Sequence, residues 1–273
     1  LIALNALKNF DITKNLPLNT LFELNEKKNK ININDLGYLI GPILNAGGRL
    51  GKSQYATELL SSNNDQVIKD RSNHLIKLNN KRKEIETLIL NEIDFQKIEK
   101  ENKDVIIYYN PNINEGLIGI IAARLKDYFN KPSLVITKSN ELLKGSARSV
   151  YNYNIGHVIK NSLDQGIILN GGGHNMAAGF TLYKANLKDF ENYILEDFSK
   201  SNTVNNNIFL YESEVSPLAF NQDFYNDIKK LEPFGTGNSV PTFMLRDLKI
   251  IKPIVLNNKH ISVILKSKTG FSI

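Results

Sequence analysis

With 273 residues, 41% of them hydrophobic, the chain can bury more than one core, and modules of roughly 100 to 200 residues set the expectation of two compact units plus an end piece. The 34 Lys and Arg against 28 Asp and Glu leave a formal charge of +6, which favours polyanionic partners, and the absence of cysteine excludes a disulfide framework and a thiolate metal site and fits a reducing cytoplasm. No apolar run reaches the roughly 20 residues that a membrane helix needs, so a soluble protein without membrane contact is expected.

Residues 1–60 combine apolar helical segments with glycines at 37, 41, 47, 48 and 51, the pattern expected for the tail of an upstream domain. From 64 to 102 there is neither Gly nor Pro, and Ile68, Leu75, Leu78, Ile85 and Leu88 recur at helical spacing, which predicts one long amphipathic connector helix over about 63–103. A strand at 104–109, a helix at 116–130 and a strand at 132–137 form a strand, helix, strand unit. A third strand over 142–149, a helix over 155–163, a short strand at 167–169 and a helix over 187–198 complete one α/β domain, 104–200. The polar stretch 199–207 reads as a linker. Beyond it, strands near 208–215, 242–251 and 260–266 around a helical insert near 221–230 suggest a small β-barrel that lacks its end. The opening at Leu1 and the stop at Ile273 just after an alternating run suggest a fragment cut at both ends.

Lysine supplies the generic charge, so each of the six arginines is a better candidate for a planar, forked contact with phosphate or carboxylate. Three of them, Arg49, Arg124 and Arg148, lie in glycine-bearing stretches. In 41–51 the adjacent Gly47 and Gly48 free the backbone to turn beside Asn45 and Arg49. The structural alternative is a tight turn whose Arg pairs with a carboxylate. In 115–124, Gly116, Gly119, Ala122 and Ala123 keep one helix face small for close packing, with a phosphate at the helix start as the functional alternative. In 145–149, Ser146, Arg148 and Ser149 place two hydroxyls and a guanidinium within five residues, and strand alternation turns Ser146 and Arg148 to one face. In 171–179, Gly171, Gly172 and Gly173 could line an anion site with main-chain N–H groups, with His174 at its edge, or could form a plain loop with a structural His. None of the four His is paired with a carboxylate or another His at ligand spacing, so no metal site is expected within the chain, and neither a Gly-x-Ser-x-Gly elbow nor a Gly-Lys-Ser phosphate loop occurs.

Taken in this order, the stretches resemble the RecJ branch of the Asp-His-His phosphoesterase family. Residues 41–51 resemble the segment that closes the RecJ catalytic domain (1–62 here), and 104–183, ending in Gly172-Gly173-His174, resemble its associated α/β domain. The run 231–238, followed by Pro241 and Phe243, resembles the entry to the RecJ oligonucleotide-binding (OB) barrel (206–273). The sequence departs from that pattern at Ile43, at Ile113-Asn114 and at Ser239, where the family usually has a basic residue, a Trp-His and a Pro.

The resemblance implies a single-stranded-DNA-specific 5′ to 3′ exonuclease of DNA repair and recombination, using Mn²⁺ or Mg²⁺ held by residues upstream of this chain, so that the chain alone would bind but not cut. It implies His174 as a catalytic residue and Asn45, Arg49, Ser146, Arg148, Ser149 and Gly171 to Gly173 as phosphate contacts, with single-stranded DNA, and by extension single-strand-binding protein, as partners. Two alternatives stay open: a phosphodiesterase of short oligonucleotides or cyclic dinucleotides, and a non-catalytic binding module.

Overall fold

A computed structural model of the chain describes residues 2–27, 31–201, 210–235, 237–256, 260–268 and 270–272. The chain forms two compact units. One comprises 11–27 with 34–201, the other 2–10 and 31–33 with the described residues from 210 onward.

Helix α1 (Ile2–Asn9) belongs to the second unit. The first unit begins with α2 (Leu16–Leu24), a π-helical turn over Asp35–Ile40, α3 (Gly41–Arg49) and α4 (Gln54–Ser61), which pack against α5 (Asp65–Glu92). Asn64 starts α5 by accepting hydrogen bonds from the N–H groups of Gln66 and Val67. The predicted helix over 63–103 is broken once: Ile93 is extended, and Asp94 caps a separate helix, α6 (Phe95–Glu101). Its buried stripe also differs from the apolar one. Ile68, Ser72, Leu75, Asn79, Glu86 and Ile89 are buried, whereas Leu88 is 62% exposed. The stripe keeps a heptad-like spacing, but polar residues occupy part of it, Asn79 and Glu86 hydrogen-bonded to Arg82, and Ser72 with no partner for its Oγ among the described residues, which a count of apolar residues cannot detect.

Strand β1 (Ile106–Tyr109), helix α7 (Ile118–Phe129) and strand β2 (Ser133–Ser139) form a parallel strand, helix, strand unit. Strand β3 (Leu142–Arg148), helix α8 (Ile155–Asp164), strands β4 (Asn170–His174) and β5 (Ala177–Leu182) and helix α9 (Leu187–Lys200) follow. The sheet order is β1-β2-β3-β5-β4, with every pairing after the first antiparallel. The short strand expected at 167–169 lies instead at 170–174, and β5 is an element the sequence reading did not assign. Glycine propensity argued for a loop, but the edge position beside β5 supplies ladder bonds that outweigh it.

Each sheet face has its own cover. On one, Leu134, Ile136, Ala147, Phe180 and Leu182 pack with residues of α8 and α9 such as Ile159 and Phe190, with the Phe180 and Phe190 rings 4.6 Å apart. On the other, Val135 packs with Ile118, Ile121 and Leu125 of α7 and with Ile89 of α5. Burying a side chain such as Leu or Phe contributes on the order of 1.5–3 kcal/mol, so these two clusters hold the helices to the two sheet faces.

In the second unit, β6 (Ser213–Glu214) pairs in parallel with β7 (Phe243–Met244), and α10 (Gln222–Lys229) lies between them in the chain. Phe220, Phe224 and Phe243 form a ring cluster with centroids 5.0–6.3 Å apart. The predicted strand over 242–251 is two strands, β7 and part of β8 (Lys249–Leu256), and β8 pairs with β9 (His260–Lys266). In the 231–238 stretch, the Asn238 side-chain amide donates to the carbonyls of Leu231 (2.9 Å) and Pro233 (3.0 Å), closing the turn. Most of the expected linker and the start of the strand expected at 208 lie outside the described residues.

Candidate functional site

Strand register decides which polar groups meet. Arg148 pairs with Ala177, and Ala177 with His174. Ser146 pairs with Gly179, and Gly179 with Gly172. Directly paired residues of antiparallel strands share a face, so Arg148, Ser146, Gly172 and His174 lie on one face, across three strands about 4.8 Å apart. This is the face that α7 covers, but α7 packs on β2 and β3 and leaves β5 and β4 open. A Cβ added at Gly172 would meet no atom within 4 Å.

Helix α7 reaches the Arg148 side chain through Gly119, where a Cβ would stand 3.0 Å from Arg148 Nη2 and 3.2 Å from Ser146 Oγ. The half-buried guanidinium donates from Nη1 to Ser146 Oγ (3.1 Å) and to the Ala147 carbonyl (2.8 Å), and it has no carboxylate partner among the described residues. Burial, and after it the charge of Arg49, hold its pKa below the usual arginine value. An arginine stays charged under such a shift, so its partial burial leaves a cation that a bound anion would stabilise.

Arg49, at the end of α3, donates from Nη1 to the Gly116 carbonyl at 3.0 Å. The contact is close enough that a Cβ on Gly116 would lie 2.2 Å from the Arg49 carbonyl oxygen, so glycine is required there. Between these segments and the sheet is a cleft of about 470 Å³, lined by Arg49, Asn114, Glu115, Lys144, Gly179 and Thr181 among others. The Glu115 carboxylate is held below its ordinary pKa by hydrogen bonds from Lys144 (2.9 Å) and Ser139 (2.8 Å). That pairing leaves Arg49 as the lining cation without a carboxylate bonded to it among the described residues.

Of the residues singled out in the sequence, Arg49, Ser146, Arg148, Gly172 and His174 gather around this face. His174 is exposed, and its Nδ1 accepts a hydrogen bond from Met176 N–H (3.3 Å), which leaves the proton of the neutral ring on Nε2. Ser149 does not join them. It is 1% exposed, its Oγ donates to the Tyr153 carbonyl (2.7 Å), and its N–H donates to the Met176 carbonyl, so just past the end of β3 it is turned into the core. Gly171 and Gly173 likewise face the α8 side, where Cβ atoms would meet Ile159 and Ala178. Asn45 lines a different cleft with Arg49, Arg82 and Arg124. Arg124 is paired with Glu86 at 2.7 Å, the carboxylate contact weighed above for Arg49. Sequence reasoning missed Lys144, although the period-two alternation through Ser146 and Arg148 extends back to it, and it missed Arg82 and Glu86, one helical turn apart on α5.

Among the described residues, no three His, Cys, Asp or Glu side chains come together to hold a metal ion, so the donor set of this cleft does not fit a divalent-metal centre. Nor is any described helix long and apolar enough to cross a membrane.

The class follows from the domain pair. The family described as the DHHA1 domain matches residues 102–200, and the family described as the RecJ OB domain matches 211–273. The chain belongs to the RecJ family. It is 31% identical over 249 residues to the single-stranded-DNA-specific exonuclease RecJ of Haemophilus influenzae, covering 86% of this chain and 43% of that protein. It is 27% identical over 281 residues to the RecJ of Bacillus subtilis, covering 99% of this chain and 35% of that one. The crystal structure of RecJ in complex with Mn²⁺ from Thermus thermophilus shares the fold, with a TM-score of 0.75 at 21% identity over 93% of this chain and 37% of that one. The chain thus spans less than half the length of these relatives.

Proposed function

We propose that this chain forms the phosphate-gripping wall and the strand-tracking domain of a single-stranded-DNA-specific 5′ to 3′ exonuclease acting in cytoplasmic DNA repair and recombination. The observation that carries the reading is the Arg148 guanidinium, half-buried and without a carboxylate partner among the described residues, on the sheet face where Ser146, Gly172 and His174 align. Arg148 and Ser146 hold the terminal phosphate, and the smooth backbone at Gly172 lets the sugar-phosphate chain lie close to the sheet. His174 Nε2–H donates to a phosphate oxygen. In this proposal residues 1–62 close the catalytic domain, α5 and α6 connect it to the DHHA1 domain at 104–200, and the OB domain from 206 onward binds the incoming strand through basic charge and aromatic stacking. The Mn²⁺ or Mg²⁺ ions belong to residues outside this chain, and single-strand-binding protein is a partner at the DNA. By itself the chain binds single strands in a salt-sensitive way and does not cleave them.

The test replaces Arg148 by Ala in a RecJ protein that carries this chain. Degradation of 5′-phosphorylated single strands is expected to slow, and unphosphorylated strands are expected to be less affected. Equal rates for both ends in variant and parent would remove Arg148 from the phosphate site. For His174→Ala, a fall in kcat larger than the loss of affinity supports a role in turnover, and equal losses assign it to substrate grip.

A further inference from the structure

The second cleft, about 350 Å³ and lined by Asn45, Arg49, Arg82 and Arg124, shares Arg49 with the first. Two of these arginines are joined by Glu86, whose side chain is 8% exposed and whose two oxygens serve different arginines. Oε2 accepts from Arg82 Nη1 at 3.0 Å and Oε1 from Arg124 Nε at 2.7 Å. Arg82 also donates from Nε to Asn79 Oδ1 at 3.2 Å. These bonds occupy Nε and one terminal nitrogen of Arg82 but only Nε of Arg124. Arg82 Nη2 and both terminal nitrogens of Arg124 keep no partner among the described residues. Arg124, on α7, is 57% exposed at its side chain, whereas Arg82, on α5, is 12% exposed.

Three guanidiniums against one carboxylate leave this cleft with an excess of two positive charges. Arg49 lines both clefts whereas Arg82 and Arg124 line only the second, so the arginines run from the sheet-side cleft to the contact of α5 with α7. A single carboxylate fixing two guanidiniums by one edge each orients their remaining donors before any ligand arrives, which lowers the entropy lost on binding.

We infer that Arg82 and Arg124 form a second phosphate subsite, next to Arg49, for an internal phosphodiester of a bound single strand, and that Glu86 is its positioning residue. The inference rests on the reading that Arg148 and Ser146 take the strand's terminal phosphate. It adds a length requirement: a mononucleotide reaches only the first subsite, and a longer strand reaches both.

The test measures binding of the intact 273-residue chain to 5′-phosphorylated thymidine and to 5′-phosphorylated hexathymidylate, each by competition with a fluorescent oligonucleotide at several salt concentrations. Arg124→Ala is expected to weaken the hexamer about tenfold, to reduce its salt slope by about one ion, and to change the mononucleotide less than about twofold. Arg124→Lys, which keeps the charge but loses the fork, is expected to recover less than half of that loss in free energy. Glu86→Gln removes a negative charge, so a simple basic patch would bind the hexamer more tightly. A positioning role predicts weaker binding, with circular dichroism checking that the variant is folded. Arg124→Ala acting equally on both ligands, or on neither, overturns the second subsite. If Arg148→Ala leaves both ligands unaffected while Arg124→Ala still discriminates between them, the terminal-phosphate reading fails and the second subsite stands. If the parent chain binds neither ligand, both fall.

Discussion

On the α8 and α9 face of the sheet, Leu134, Ile136, Leu143, Phe180 and Phe190 close a core with no more than 4% exposure. On the opposite face the apolar cover ends at β3, where Ser146 and Arg148 sit beside α7, and Gly172 and His174 are left on the open strand β4. Strand β3 serves both faces by alternation: Ala147 fills the core while Ser146 and Arg148 lie on the opposite side, against Gly119 of α7. A rigid back face lets the front face hold a half-buried cation that would otherwise turn away into solvent.

Three substitutions probe that contrast. The largest effect is expected from Phe190→Ala, which removes a fully buried ring from the back face and should cost about 3–5 kcal/mol in urea unfolding while leaving single-strand affinity of the folded protein unchanged. A cost below about 1 kcal/mol would mean that this face is not the core. On the front face, Gly172→Val adds a side chain where nothing stands within 4 Å. Stability should stay within about 0.5 kcal/mol and binding of single-stranded DNA should fall about tenfold. Undiminished binding would place the strand elsewhere.

The smallest effect concerns Tyr153, whose hydroxyl donates to Asp197 at 3.0 Å behind the sheet. Burial, and then the Asp197 charge, raise its pKa well above the ordinary tyrosine value. The unfolded chain ionises this group near pH ~10 while the folded one keeps it protonated, so its contribution is complete below about pH 10 and declines above it. Tyr153→Phe should cost about 1 kcal/mol at pH 8, and the gap from the parent should narrow at pH 11. A gap that widens at pH 11 would contradict the sign of the shift.

Much of this was legible in the amino-acid order. The strand, helix, strand unit, β3 with Ser146 and Arg148 on one face, α8, α9 and β9 all follow from period and punctuation. What escaped is specific. The strand through Gly171 to Gly173 carries no strand propensity and exists because β5 pairs with it. The sequence made Ser149 look like a third phosphate contact, but β3 ends at Arg148 and the chain turns inward after it. Glu86 stayed hidden because a search for apolar periodicity passes over a buried carboxylate, and its partner Arg124 lies 38 positions away.

Sequence alone determined the order of elements, the polar face of β3 and the glycine-marked stretches, because backbone alternation and turn chemistry act between near neighbours. Only the tertiary structure decided that Arg49 meets Gly116 and lines two clefts, that Arg82 and Arg124 share Glu86, and that Gly172 alone of the triple glycine opens outward. The physical reason is that strand pairing and helix contact bring together charges that are distant in the chain, and a guanidinium's surroundings are set by those partners rather than by its neighbours in sequence.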